Sequence, residues 1–295
     1  MAGTEAAGAG DAPELIERAL APEEADALAP LSDEAGWNQV AADWRFMLEA
    51  GEGKGLADPA GRMVASALIV PLGYQVSWIS MVLTAKPWRG HGFGTHLLQD
   101  RIARVRATGA AAGLDATELG RPIYAALGFR VLYELRRWHV KRPPLPAAPP
   151  HGVTLRPMRP DDLEALAEFD RRLTSFDRPH VLRHLHQRAA PLAHVAEAGG
   201  RIAGFVLGRD GRFAAQIGPI VAADAATALA LAARAAGALR PPFILDVPDR
   251  QAGMIRWIAA AGGEAPRRFW RMILGDAPGL ADDRHVFALA GPELA

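Results

Sequence analysis

Apolar residues along this chain switch between two periods. In 21–34 (APEEADALAPLSDE) and 38–50 (NQVAADWRFMLEA) they recur at helical spacing, which predicts two helices. The runs 61–70 (GRMVASALIV) and 74–84 (YQVSWISMVLT) are continuous apolar and β-branched stretches, which predict strands. A helix is expected from Gly92 to Ala107, with Leu97, Leu98, Ile102 and Val105 on one face. A short strand (AGLDA, 112–116), a short helix (GRPIYAALG, 120–128) and a closing strand (FRVLYELRRWHV, 129–140) complete the first half.

The order then repeats. PDDLEALAEFDRRL and PHVLRHLHQRA predict helices. AHVAEA, GRIAGFVLGR and FAAQIGPIVAA predict strands joined by turns at Gly199-Gly200 and Asp210-Gly211. A helix over DAATALALAARAAGAL, a strand over FILDVP, a helix over RQAGMIRWIAAAGG and a strand over RRFWRMIL follow. Asp115 and Asp246 occupy matching places 131 positions apart, and GRMVASAL and GRIAGFVL lie 139 apart. Two copies of one α+β unit with mixed sheets account for this. The Pro-rich segment KRPPLPAAPPHG forbids a helix and favours extended chain. The expected division is a first domain over 1–141, a linker over 142–152 and a second domain over 153–295.

Composition narrows the function. Lys plus Arg and Asp plus Glu both number 33, so no excess of basic charge points to nucleic acid. The absence of cysteine removes disulfides, thiolate nucleophiles and thiolate-bound metals. The N-terminus is acidic and rich in small residues, unlike a signal peptide, and no apolar run approaches membrane-spanning length. A soluble cytoplasmic protein is expected, and the Ala, Arg, Gly and Pro usage suggests a bacterial source. Oligomerisation is not indicated, and no metal is implied. His180 and His184 share a helix face at metal-ligand spacing, but without a companion Glu a solvated face is the simpler reading.

The stretch PWRGHGFGTHLL raises the chemistry. Glycines ahead of a helix let an anion approach backbone N–H groups, where the helix dipole also favours negative charge. Arg89 adds a fork of donors suited to phosphate oxygens. A nucleotide P-loop would need Lys-Ser/Thr after the last glycine, but Thr95 and His96 follow Gly94. A dinucleotide fingerprint would need a third glycine where Thr95 stands.

Arg89-x-x-Gly92-x-Gly94 at a strand-to-helix junction, followed about 30 residues on by IYAALGF, resembles the GNAT acetyltransferase superfamily. The resemblance covers most of 14–140 and, more faintly, 153–290. EAGWNQ (34–39), IGPIVA and LDVP resemble a two-domain bacterial subgroup of poorly defined substrate. The resemblance implies the GNAT acyl-CoA fold in both halves and acetyl-CoA as cofactor. It implies backbone contacts to the pantetheine arm from Val82, Leu83 and Thr84. It places the pyrophosphate on Arg89, Gly90, His91, Gly92, Phe93, Gly94 and Thr95. Tyr124 falls where the family has its general acid, and a phenol near pKa 10 suits a leaving thiolate. Trp37 and Asn38 fall in the region that lines the acceptor pocket.

The base is not legible. Asp115 could reach the site from its strand, or could equally cap the next helix. At the matching junction the second half has GPIVAADAATAL, without the arginine and glycine pair and with Asp224 as a helix cap. One cofactor site, in the first half, is therefore expected. The leading expectation is acetyl transfer to a small-molecule primary amine by direct attack in a ternary complex. A non-catalytic acyl-CoA sensor and a protein or peptide acetyltransferase stay open.

Overall fold

The computed structural model describes residues 14–282 and 284–295. The first half contains β1 (Ile16–Leu20), α1 (Ala25–Glu34), α2 (Ala41–Ala50), β2 (Glu52–Ala57), β3 (Met63–Pro71) and β4 (Val76–Thr84). It continues through α3 (Phe93–Ala107), β5 (Ala111–Thr117), α4 (Arg121–Ala126) and β6 (Arg130–Val140). The second half contains β7 (Val153–Pro157), α5 (Leu163–Thr174), α6 (Pro179–Arg188), β8 (His194–Ala198), β9 (Arg201–Arg209) and β10 (Ala215–Ala222). It ends with α7 (Ala225–Ala236), β11 (Phe243–Pro248), α8 (Ala252–Ala260), β12 (Glu264–Leu274) and β13 (Val286–Ala288).

All the strands join one mixed sheet in the order β1-β2-β3-β4-β5-β12-β6-β11-β10-β9-β8-β7, with β13 attached to β10. The two halves have exchanged their closing strands. β12 lies antiparallel to β5, and β6 lies antiparallel to β11, with β12 and β6 paired at the centre. The sequence order alone would have each closing strand complete its own half. It does not distinguish the exchanged arrangement, because β6 and β12 occupy equivalent places in the repeat.

Two buried ion pairs hold the exchanged strands. Arg271 on β12 holds Asp115 on β5 through Nε–Oδ1 and Nη2–Oδ2 contacts of 2.9 and 2.8 Å. Arg137 on β6 holds Asp246 on β11 in the same bidentate way, both contacts at 2.8 Å. Parallel N–H donors of one guanidinium match two carboxylate oxygens only in one register, so each pair fixes the register of its closing strand. The helices reinforce the junction. Leu28, Trp44 and Met47 of the first half share one buried cluster with Leu166, Leu182 and Phe205 of the second.

Asn38 belongs to this junction. Its Nδ2 donates to Ala214 O at 2.9 Å, and its Oδ1 accepts from Phe213 N at 3.0 Å. The side chain is 3% exposed and clasps the β9–β10 turn, so the structure corrects its expected place in the acceptor pocket.

Candidate active site

A sheet opens a cleft where neighbouring strands stop pairing. Parallel β4 and β5 pair only from Val76–Ala111 to Trp78–Gly113, although β4 runs on to Thr84 and β5 to Thr117. Gly113 marks the last rung: a Cβ there would lie 2.4 Å from the Trp78 ring. Beyond it, the β3–β4 register shifts between Ser66 and Leu68, and Met81 adopts φ of 51°. A bulge of this kind bends a strand and leaves backbone groups without sheet partners. Ser66 Oγ donates to Met81 O at 2.8 Å and holds the kink in place.

The cleft widens into a cavity of about 800 Å³. Val82, Leu83 and Thr84 line one wall. At its mouth, Gly90 and Gly92 have φ of +83° and +82°, a left-handed backbone that favours glycine. The first hydrogen bond of α3 runs from His96 N to Gly92 O at 2.9 Å, so the N–H groups of the preceding first-turn residues lack intrahelical partners. Space beside Gly90 and Gly92 is open, while a Cβ on Gly94 would meet Thr84 Oγ1 at 3.0 Å. The helix start therefore sits directly on the end of β4. Arg89, Gly90, Gly92, Phe93, Gly94 and Thr95 all line the cavity. The glycine-lined cradle, the free helix N-terminus and the unpaired strand together fit a long ligand with an anionic end, such as acetyl-CoA. His91 does not line the cavity; its exposed ring stacks on Phe93 at 5.7 Å.

Tyr124 lines the same cavity from α4. Its ring packs against Phe129 and lies over Gly120, where a Cβ would come within 2.7 Å of the ring. Burial pushes the phenol up to about 12, above the value the sequence suggested. The hydroxyl thus stays protonated through the ordinary pH range, where it can donate.

Trp37 reaches the cavity, next to Gly36, whose carbonyl accepts from Arg267 Nη2 at 2.8 Å. Asp115 also lines it, but both of its oxygens are engaged by Arg271. Burial pushes its carboxyl up, with Arg271 pulling the other way. Its geometry is that of a structural pair, and Asp115 caps no helix.

Sequence reasoning missed the residues that cross from the second half. Arg267 and Phe269 on β12 and Glu293 beyond β13 line the first-half cavity, together with Arg137 on β6. Arg267 and Phe269 arrive through the strand exchange, and Glu293 through the segment that follows β13.

The second half has a matching fork that is filled. β10 and β11 pair only at Ala215–Phe243 and Gln216–Ile244. β13 then enters between them, pairing with β10, while Leu289 N donates to Asp246 O on β11 at 2.8 Å. Gly218 makes room for this strand: a Cβ there would lie 1.9 Å from Leu289 O. Asp224 caps α7 by accepting from Thr227 N at 2.8 Å.

Known proteins agree with this architecture. A family model described as the GNAT family of acetyltransferases matches residues 18–129, and one described as a GNAT acetyltransferase domain matches 166–288. No curated protein matches the chain by sequence. Among solved structures, a candidate acetyltransferase from Pyrococcus horikoshii superposes with TM-score 0.79 at 18% identity, covering 100% of this chain and 99% of that one. A GCN5-related N-acetyltransferase from Sphaerobacter thermophilus gives TM-score 0.62 at 19% identity, covering 90% and 96%. A tandem GNAT protein from the clavulanic acid biosynthesis pathway gives TM-score 0.62 at 18% identity, covering 90% and 100%. At these identities the likeness speaks to fold. With a family match in each half, the chain belongs to the GNAT acetyltransferases and carries two GNAT domains in tandem.

Proposed function

We propose that this chain acetylates a small-molecule primary amine in the first-half cleft, with acetyl-CoA as the donor. The observation that carries the reading is the contrast between the two forks. The first is open, glycine-cradled and lined by a tyrosine, whereas the second is occupied by the chain's own β13.

Backbone groups of Val82 to Thr84 would hold the pantetheine arm by continuing the sheet, as an added strand does. The N–H groups of the cradle and Arg89 would hold the pyrophosphate. Acetyl-CoA supplies the activated acetyl thioester. The chain's own residues must then position the amine, keep water from competing and manage two protons. Tyr124 Oη keeps its proton through the ordinary pH range and can donate it to a departing sulfur as charge develops there, although at about 12 it is a weaker acid than a free phenol. Without cysteine the chain has no thiol to carry an acyl group, which favours direct attack by the amine.

The test is thiol release from acetyl-CoA with a panel of short primary amines, amino sugars and peptides. Amine-dependent release from a small molecule is expected. Tight acetyl-CoA binding with no amine-dependent release would replace this reading with that of a binding protein.

A further inference from the structure

Beyond β13 the chain turns back toward the first half. Pro292 O accepts from Trp78 Nε1 at 2.8 Å, and Arg178 binds the Ala295 carbonyl. Glu293 sits between these two anchors and lines the first-half cavity. Its side chain is only 3% exposed. One carboxylate oxygen, Oε1, accepts from Arg209 Nη2 at 2.7 Å. The other, Oε2, is buried and has no hydrogen-bond partner among the described residues.

The surroundings of this oxygen are ionic. Arg209 on β9 and Arg137 on β6 attract a negative charge on Glu293. Asp43 on α2, itself held by Arg209 and Arg188, repels it. Burial, helped by Asp43, pushes the carboxyl above its ordinary range against the pull of the two arginines and of its own backbone N–H. A buried oxygen that lacks a donor, on a residue that lines a ligand cavity, is an acceptor awaiting one, because buried polar groups are almost always paired. An ammonium supplies both the donor and the countercharge.

We propose that Glu293 Oε2 receives the ammonium group of the acceptor and takes one of its protons, so that the second half provides the base for chemistry in the first. This rests on the acetyl-transfer reading above. The step is a simple proton transfer: an N–H bond of the ammonium breaks, an O–H bond forms at Oε2, and the neutral amine keeps the lone pair it needs for attack. Tyr124 then serves the opposite duty, as the proton donor. Two groups with separated roles face one cavity, each from a different half of the chain.

Glu293→Gln tests this, because the amide oxygen can still accept from Arg209 but cannot take a proton. Acetyl-CoA affinity would be measured by calorimetry and kcat/KM for the amine from pH 6 to 10. The expected result is a loss of about 100-fold in kcat/KM, typical for removal of a general base. Acetyl-CoA affinity should stay within about twofold, and the acidic limb of the pH profile should vanish. Glu293→Asp should retain that limb while running more slowly. A Gln variant within about threefold of the wild type, or one whose loss tracks melting temperature while the limb persists, would overturn the proposal. If the Gln variant does not fold, carbon-13 carboxyl titration of the wild-type chain decides. The Glu293 signal must shift when ethylamine is added with coenzyme A bound, and no shift would overturn the assignment. Failure of the wild type to bind acetyl-CoA would instead strike the acetyl-transfer reading.

Discussion

Tyr124 and Asp115 both line the cavity, and their surroundings assign them different work. The Tyr124 phenol, pushed up to about 12, keeps its proton, so turnover should show no alkaline decline from this group up to about pH 10. Tyr124→Phe should lower kcat at least about tenfold and leave acetyl-CoA affinity unchanged, as steady-state kinetics with binding calorimetry would show. Asp115 is held by Arg271, and the pair is buried. Asp115→Asn should therefore destabilise the fold by about 3–5 kcal/mol in urea unfolding, since it leaves a buried guanidinium without its counterion. A stable Asn variant that had lost only its turnover would restore Asp115 as a base. His184 offers a third check at this scale. Its ring stacks on Phe46, and burial first, then Arg188, lowers its pKa to about 4. A histidine depressed in the folded state costs stability as pH falls from its unfolded value near 6.5 toward 4. His184→Gln should flatten the decline of melting temperature across that window. Tyr124 was legible because it sits in a local pattern, IYAALGF. Glu293 was not, because a lone glutamate in ALAGPELA carries no motif, and its meaning comes only from what lies across the junction.

Elements differ in how plainly their sequences announce them. The β4–loop–α3 unit was readable because a strand, left-handed glycines and a helix start must follow one another in that order. β2, with the sequence EGKGLA, gave no strand signal, since two of its positions are glycine. A Cβ at Gly53 would meet Leu48 Cδ2 at 2.7 Å and one at Gly55 would meet Met63 Cε at 2.6 Å, so side chains pack close over this strand. β13 is three residues long and has no periodicity to detect. Yet β13 determines that the second fork is closed. Gly218→Ala should expel it, because the added Cβ meets the Leu289 carbonyl and the backbone has φ of 149°. A loss of at least about 2 kcal/mol in chemical denaturation is expected, the range for strain at a special backbone position. An unchanged midpoint would mean that β13 is only loosely held.

At the scale of the molecule, the exchange of β6 and β12 makes each half depend on the other. The repeat itself was plain in the sequence, through the matched Asp115 and Asp246 and the matched order of elements. The exchange was not, because the swapped and unswapped connections share one pattern of apolar positions. A fragment ending at Gly152 would expose the edge of β5 and leave Asp115 without Arg271. Such a fragment should be unfolded or should dimerise by swapping β6, which circular dichroism and size-exclusion chromatography would reveal. A monomeric, cooperatively folding fragment would show that the junction is not needed. The exchange also carries Arg267 and Phe269 into the first-half cavity, which gives the closed second domain a part in shaping that site.

One working cleft per chain is tested by calorimetric titration of the chain with acetyl-CoA. One equivalent is expected to bind, and Arg89→Ala should weaken that binding by about tenfold, as loss of a charge-assisted contact does. Two equivalent sites, no binding, or an affinity indifferent to Arg89 would contradict it.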